Sequence, residues 1–409
     1  VISFIQPSRN NLKYLKWSYN SIRKNLGYRH EICWADDFSD DGTWEWMNEI
    51  VKKDKNVQIM RNNGPERLGH TILYDRLVDM ASNDIVMIYH ADMYACPNLD
   101  TEIFKHLEPG KVVSATRIEP PLHPDGPEKI LLDFGIEPEE FKEEELLKTV
   151  ENIQSGRDGI LYGPLAIKRD TSEGIFAPWA IMKTDWDFVG GHDPLFAPQS
   201  KEDSDIFNRF HLAGYKFVQV WKGLVYHMTC RGSRFKDGAI RNPDGQVFMK
   251  DRESEEWLIQ NKKSTREFIR KWGHFVKHDT MMKPVVPPKY SVGFVIENCN
   301  SQMLELLEPW CDNLYSDFVG HKGLHVNQYI EKERTSFDLK KRIHSDHMNP
   351  TDGVVVRFDA SKLTQENFKI IENLSEILQD SGELGVSELD IFNIEIKSLD
   401  TTEKDLVQL

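Results

Sequence analysis

Four groups of residues combine types and spacings that can do chemistry. The first is Asp36-Asp37-Phe38-Ser39-Asp40-Asp41-Gly42-Thr43, directly after the apolar run 31–35. Acids packed at the tip of a hydrophobic strand repel one another unless a cation or a hydrogen-bond donor arrives. Asp36 and Asp37 therefore point to a ligand, whereas Ser39 to Thr43 read as a turn and a helix N-cap. The second group is Tyr89-His90-Ala91-Asp92-Met93. Two residues apart on a strand, His90 and Asp92 share a face, and an imidazole and a carboxylate can share a divalent cation. The alternative for His90 is a hydrogen-bonded core histidine. The third group is Ser200-Lys201-Glu202-Asp203-Ser204-Asp205, with Ile206, Phe207, Phe210 and Leu212 at helical spacing behind it. Its acids either cap that helix or accept a proton from a hydroxyl nucleophile. The fourth is Val225-Tyr226-His227 with Arg231 and Arg234 downstream. His227 offers a third metal ligand, and the guanidinium groups suit phosphate oxygens or form an exposed basic loop.

The elements that must hold these groups alternate. Strands are expected at 1–6, 31–35, 57–61 and 85–90, and helices at 12–26, 43–52 and 68–81. Such repetition implies a mainly parallel sheet with helices on both faces. Ligands then bind at the carboxyl ends of the strands, where the polar clusters stand. Residues 119–175 read as an insertion rich in proline, glycine and acid. Its run 137–145 is a solvated helix or loop, with a cation site as the alternative. Regular structure resumes near residue 175. A polar, helix-rich stretch at 251–277 completes a first domain, 1–280. A linker at 281–289 holds Pro284, Pro287 and Pro288. Residues 290–409 show strands at 290–298, 353–358 and 391–396 and helices at 301–307 and 366–379. That pattern suggests a small α+β, ferredoxin-like domain by analogy of order alone. It carries no chemical motif and suits homo-oligomer formation, docking or acceptor recognition. His321, His325, His344 and His347 read as surface histidines.

The chain has 409 residues, which implies two or three domains. With 39% hydrophobic and 29% charged residues it can pack a core. A net charge of −15 argues against nucleic acid or anionic lipid as a partner. No apolar run approaches the ~20 residues of a membrane span. Residues 1–5 run straight into polar 6–11, which is no signal-peptide pattern, although a start at Val1 leaves room for a removed targeting segment. The five cysteines, Cys33, Cys96, Cys230, Cys299 and Cys311, form no CxxC pair. Reduced thiols in a cytoplasmic protein are the expectation.

The order of the clusters resembles the family 2 glycosyltransferases. Pro7-Ser8-Arg9-Asn10 stands where that family ends its first strand in a Pro-[Ser/Thr]-x-Asn turn. Asp36 to Thr43 resembles its DDGSTDGT-like segment, with Phe38 in place of glycine. Asn62-Asn63-Gly64 resembles its Asn-x-Gly stretch, and His90-Ala91-Asp92 its Asp-x-Asp metal motif. Gly190-Gly191-His192-Asp193-Pro194 is similar to its Gly-Gly-Phe-Asp-Glu segment. Glu202-Asp203-Ser204-Asp205 with Ala213-Gly214-Tyr215, and finally Val225-Tyr226-His227, complete the series over residues 1–235.

The resemblance implies a GT-A fold, Rossmann-like with a mostly parallel sheet. It implies transfer of a sugar from a nucleotide-diphosphate sugar, UDP favoured, to a glycan, lipid-linked or protein hydroxyl, with inversion. Pro7, Ser8, Asp36, Asp37, Asn63 and Arg234 would contact the nucleotide sugar. Asp92, His90 and His227 would hold Mn²⁺ or Mg²⁺, and His90 in place of an acid favours the softer ion. Asp203 would be the base, and Trp179, Gly191 and Glu202 would bind the acceptor. Two other readings stand beside this one. A nucleotidyltransferase on a related sheet would release pyrophosphate, and a non-catalytic sugar-nucleotide scaffold would turn nothing over.

Overall fold

A computed structural model describes residues 1–157, 169–170, 174–229, 238–249, 253–318, 323–345 and 349–409. Arg231 and Arg234, His321, His347 and Cys230 lie outside the described residues. Contacts divide the chain into two units, 1–260 with 278–285 and 409, and 261–277 with 286–408.

The first unit is built on a nine-stranded sheet. Its strands are β1 (Ile2–Ser8), β2 (Glu31–Asp37), β3 (Val57–Asn62), β4 (Ile85–Ile88), β5 (Met93–Ala95), β6 (Lys111–Glu119), β7 (Lys129–Leu131), β8 (Trp179–Met182) and β9 (Lys216–His227). The order is β3-β2-β1-β4-β8-β6-β9-β5, with β7 beside β6. The β1, β2, β3 and β4 pairings are parallel, as are β6 with β9 and with β7, while β8 and β5 run antiparallel to their neighbours. Side-chain alternation along β1 explains the two cores. Phe4 faces a cluster with Trp34, Leu15, Ile22 and Met47, and Ile5 faces one with Leu73, Leu77, Val78 and Ala35. Helices α1 (Leu12–Asn25) and α2 (Thr43–Lys53) close the first face, and α3 (Gly69–Met80) closes the second.

The remaining helices of this unit are α4 (Leu99–Phe104), α5 (Glu143–Ser155), α6 (Lys183–Val189) and α7 (Glu202–Leu212). The acidic run 137–145 leads into α5, whose first turn is Glu143, Glu144 and Glu145. Acids at a helix N-terminus suit its dipole. Strands β10 (Ala239–Arg241) and β11 (Val247–Met249) form a separate hairpin.

Helix α8 (Glu255–Trp272) moves the expected boundary. The divide falls within this helix, between residues 260 and 261, and again at 285/286, inside the expected linker 281–289. Ile269 packs into the core of the second unit. A polar-looking sequence hid that apolar stripe of Phe268, Ile269 and Trp272.

The second unit corrects the ferredoxin-like expectation. Its strands are β12 (Val292–Glu297), β13 (Asn313–Ser316), β14 (Ile343–His344), β15 (Val354–Asp359), β16 (Gly385–Leu389) and β17 (Phe392–Ile396), in the order β14-β13-β12-β15-β17-β16. The four strands β14, β13, β12 and β15 are mutually parallel, while β17 runs antiparallel to both of its neighbours, β15 and β16. This is an open α/β sheet. Helices between β12 and β13 and between β13 and β14 return the chain to the same end, so each next strand adds in parallel. The short β13 carries too little apolar pattern to be read from sequence.

No helix among the described residues is long and apolar enough to cross a membrane. Cys33, Cys96, Cys299 and Cys311 are free thiols.

Candidate active site

Register brings the strand tips of the first unit together. Ser8 pairs with Asp36, and Asp36 with Arg61. Asp36 is fully buried and accepts bonds from Arg61 Nε at 3.0 Å and the Ser39 amide at 3.2 Å. Asp37 accepts from Asn62 Nδ2 at 2.7 Å and from the Leu68 and Gly69 amides at 3.0 and 2.9 Å, fastening the start of α3. Its oxygens thus serve the fold. Asn63 is exposed, and it is Asn62 beside it that bonds to Asp37. Ser8 is buried at the end of β1 with its Oγ unpartnered. Phe38, at φ 59°, lies 40% exposed over Gly64, where a Cβ would sit 2.4 Å from the ring. The close approach explains the glycine.

His90, Asp92 and His227 converge, with one ligand atom from each within 4.8 Å of the others. The antiparallel β5–β9 pair sets Met93 against His227, and the Met228 amide donates to the Asp92 carbonyl at 3.1 Å. His227 Nε2 lies 3.5 Å from Asp92 Oδ1, and its Nδ1 lies 3.0 Å from Oε2 of Glu119, at the end of β6. Glu119 is held by Lys129 at 3.2 Å and Arg117 at 3.7 Å. Burial lowers His90 to about 4. For His227 burial acts the same way but is outweighed by Asp92 and Glu119, which raise it to about 9. Burial would raise Asp92, yet the two histidines hold it below the usual range.

Two imidazoles and a carboxylate, one imidazole oriented by a second carboxylate, form a donor set that fits a divalent ion such as Mn²⁺. Glu119→Gln is expected to weaken Mn²⁺ binding about 10- to 100-fold, as calorimetry would measure. An affinity equal to that of the unaltered protein would deny Glu119 this orienting role.

Helix α7 presents the acidic turn. Arg209 is fully buried, bonded to Asp205 at 2.9 Å and to the Val189 and Gly191 carbonyls at 2.6 and 2.5 Å. Ile206 and Phe210, one turn apart, bury the helix against the sheet, a contribution of about 1.5–3 kcal/mol each. Asp203 is exposed, but its surroundings desolvate it, and with the neighbouring Glu202 charge they raise its pKa. Its Oδ1 accepts from the Ser204 amide at 2.6 Å. The Tyr74 hydroxyl, raised chiefly by burial, also feels the charges of Glu202, Asp92 and Asp203, so Tyr74 lies near both Asp203 and the trio.

Two expected acceptor contacts are corrected. Trp179 is 2% exposed and stacks on Trp186 at 5.8 Å, with Phe207 and Phe210 at its edges. It lies mid-sheet, paired to Ile88 and Ser114, and has no face for a sugar. Gly191 is buried, its amide donates to the Trp186 carbonyl, and its own carbonyl is taken by Arg209. A Cβ there, at φ +73°, would meet Asp75 Oδ1 at 2.7 Å and Trp186 Nε1 at 2.9 Å. Gly191→Ala should therefore cost about 1–3 kcal/mol of stability, read from urea unfolding. A change near zero would remove the packing argument.

Glu202 is buried against His70, 2.6 Å away. Sequence reasoning missed His70, Tyr74 and Glu119. Glu119 carried the signal used elsewhere, an acid closing a strand, but fell at the edge of the supposed insertion. His70 and Tyr74 sit four apart on α3, the spacing that puts two side chains on one face.

Residues 3–136 match the family described as glycosyl transferase family 2. No curated protein matches the chain by sequence. Among solved structures, the one described as the crystal structure of GalNAc-T7 with UDP, GalNAc and Mn²⁺ aligns at 15% identity and a TM-score of 0.45. The alignment covers 66% of this chain and 48% of that one, so this chain spans about half the length of that neighbour. The stretch 3–136 that matches this family carries Ser8, Asp36, His90, Asp92 and Glu119.

Proposed function

We propose that the protein transfers a sugar from a nucleotide-diphosphate sugar, with UDP the favoured nucleotide, to a hydroxyl acceptor with inversion at the anomeric carbon. The observation that supports this reading is the convergence of His90, Asp92 and His227 in a chain whose residues 3–136 match family 2, with the exposed Asp203 carboxylate near Tyr74, which also senses Asp92. Ser8 and the Asp36–Arg61 pair line the strand tips that would seat the nucleoside. His90, Asp92 and His227 would hold a divalent ion, with Mn²⁺ favoured by the two imidazoles; when bound it offsets negative charge on the diphosphate. Glu119 keeps the His227 ring turned so that Nε2 faces Asp92. Asp203 takes the proton from the acceptor hydroxyl as that oxygen forms its bond to the anomeric carbon and the bond to the diphosphate oxygen breaks. A carboxylate with a raised pKa suits this task better than an ordinary aspartate, because proton transfer to it is less uphill.

The test is nucleotide release from UDP-, GDP-, dTDP- and CMP-sugars with Mn²⁺, Mg²⁺ or EDTA. Release of nucleoside diphosphate from one donor, suppressed by EDTA and lost in Asp92→Ala, is the expected result. Pyrophosphate as product would assign a nucleotidyltransferase instead. Silence with every donor, without a shift in melting temperature, would leave a scaffold.

A further inference from the structure

A titratable pair beside the base has no part in the steps above. His70 stands in the first turn of α3, its Nε2 2.6 Å from Oε1 of Glu202 in the first turn of α7. The two partners differ in depth. The Glu202 side chain is 9% exposed and that of His70 35%. The second oxygen of Glu202, Oε2, is buried and meets no partner. A buried carboxylate is costly unless a cation offsets it, and the imidazole is placed to do so. Burial alone would lower the His70 pKa, but the Glu202 charge and hydrogen bond outweigh it and raise it. With Nε2 committed to Glu202, the protonated ring keeps Nδ1–H, which has no bond among the described residues. Tyr74 flanks the ring at 5.8 Å. Asp203, Arg67, His192 and His90 also bear on the pair.

We propose that His70 binds the acceptor: anchored by buried Glu202, it donates Nδ1–H to an acceptor oxygen that neighbours the hydroxyl deprotonated by Asp203. The acceptor class follows from the geometry. Two groups side by side on the protein call for two neighbouring oxygens fixed on one rigid frame, which the vicinal hydroxyls of a saccharide are and the freely rotating hydroxyl and carbonyls of a serine or threonine residue are not. Glu202 then acts as a positioning residue for His70. This inference rests on the transferase reading.

The experiment uses the full chain with Mn²⁺ and the donor identified by nucleotide release. Methyl hexosides are offered in one arm, and N-acetyl-serine and N-acetyl-threonine amides in the other. Transfer to a hexoside and not to the amides is expected. His70→Ala should raise the hexoside KM about tenfold or more, the loss of one hydrogen bond to a charged group, with a much smaller change in donor KM. His70→Gln, which keeps a neutral donor, should recover part of that loss, and Glu202→Gln should change KM in the same direction as His70→Ala. Unfolding curves for each variant separate these effects from misfolding. Failure to use any hexoside, equal use of the amides, or equal shifts in donor and acceptor KM overturns the role of His70 while donor turnover leaves the transferase reading standing. A wild-type protein that releases no nucleotide from any donor overturns both.

Discussion

Asp203→Asn is expected to slow sugar transfer by about a hundredfold to ten-thousandfold, the range that a positioned general base contributes. The amide keeps the shape of the side chain and cannot take the proton. Donor binding, measured by calorimetry, should persist, because Asp203 stands on α7, while the Ser8 and Asp36 tips end β1 and β2. The pH profile gives a second check. Desolvation and the Glu202 charge raise the Asp203 pKa above its ordinary 3.8. The base works deprotonated, so activity should fall as pH drops through that raised value, and the acid limb should lie higher than a free aspartate would set it. Full activity in the asparagine variant would remove Asp203 from the mechanism.

Arg270→Met is expected to be the most destabilising substitution in the second unit, by about 3–5 kcal/mol, the cost of breaking a buried ion pair by removing one partner. Arg270 is 1% exposed and donates to Glu308 at 2.9 and 2.6 Å, with Glu333 also bonded and Glu267 at 3.4 Å. Tyr329 donates to Glu308 at 2.7 Å. Burial would raise Glu308, but Arg270 outweighs it and holds the pKa below the usual value. A depressed carboxylate stabilises the fold above its unfolded pKa, and that contribution is lost as pH falls through the folded one. In the variant the sign reverses. Glu308 becomes a buried acid with Arg342, 3.3 Å from its Oε1, as the remaining cation; its pKa rises, and protonation then relieves the fold. Urea unfolding at neutral and mildly acidic pH should show the gap between the two proteins narrowing with acid. A gap that widens would contradict this account.

How much of this was legible in sequence depended on the kind of signal. The parallel order of β1 to β4 was readable because apolar runs of strand length alternate with amphipathic helices, and acids closing those runs marked the ligand end. His90 and Asp92 were named for their spacing after an apolar run and His227 as the close of a strand; the first two stand between β4 and β5 rather than on a strand. Trp179 and Gly191 misled because a large aromatic or a glycine beside a motif reads alike whether it faces a ligand or the core. Only the pairing of β8 with β4 and β6 decides that. His70 was invisible because a histidine at a helix start has no periodic signature, and its partner Glu202 is far along the chain. In the second unit the helix–strand alternation was seen, but strand direction is not written in periodicity, so a parallel sheet passed for a ferredoxin-like one.

The β5–β9 pairing has a consequence for the order in which this protein acquires its chemistry. Met93 and His227 are partners in one short antiparallel ladder, although position 93 is made long before position 227. Contacts so distant in sequence carry the loop-closure cost of folding and form late. His90 and Asp92 alone leave the cation two ligands, so a nascent or truncated chain ending before β9 carries an incomplete trio. If the trio holds a divalent ion as proposed, its affinity reports whether β9, the last strand of that sheet in chain order, has joined it.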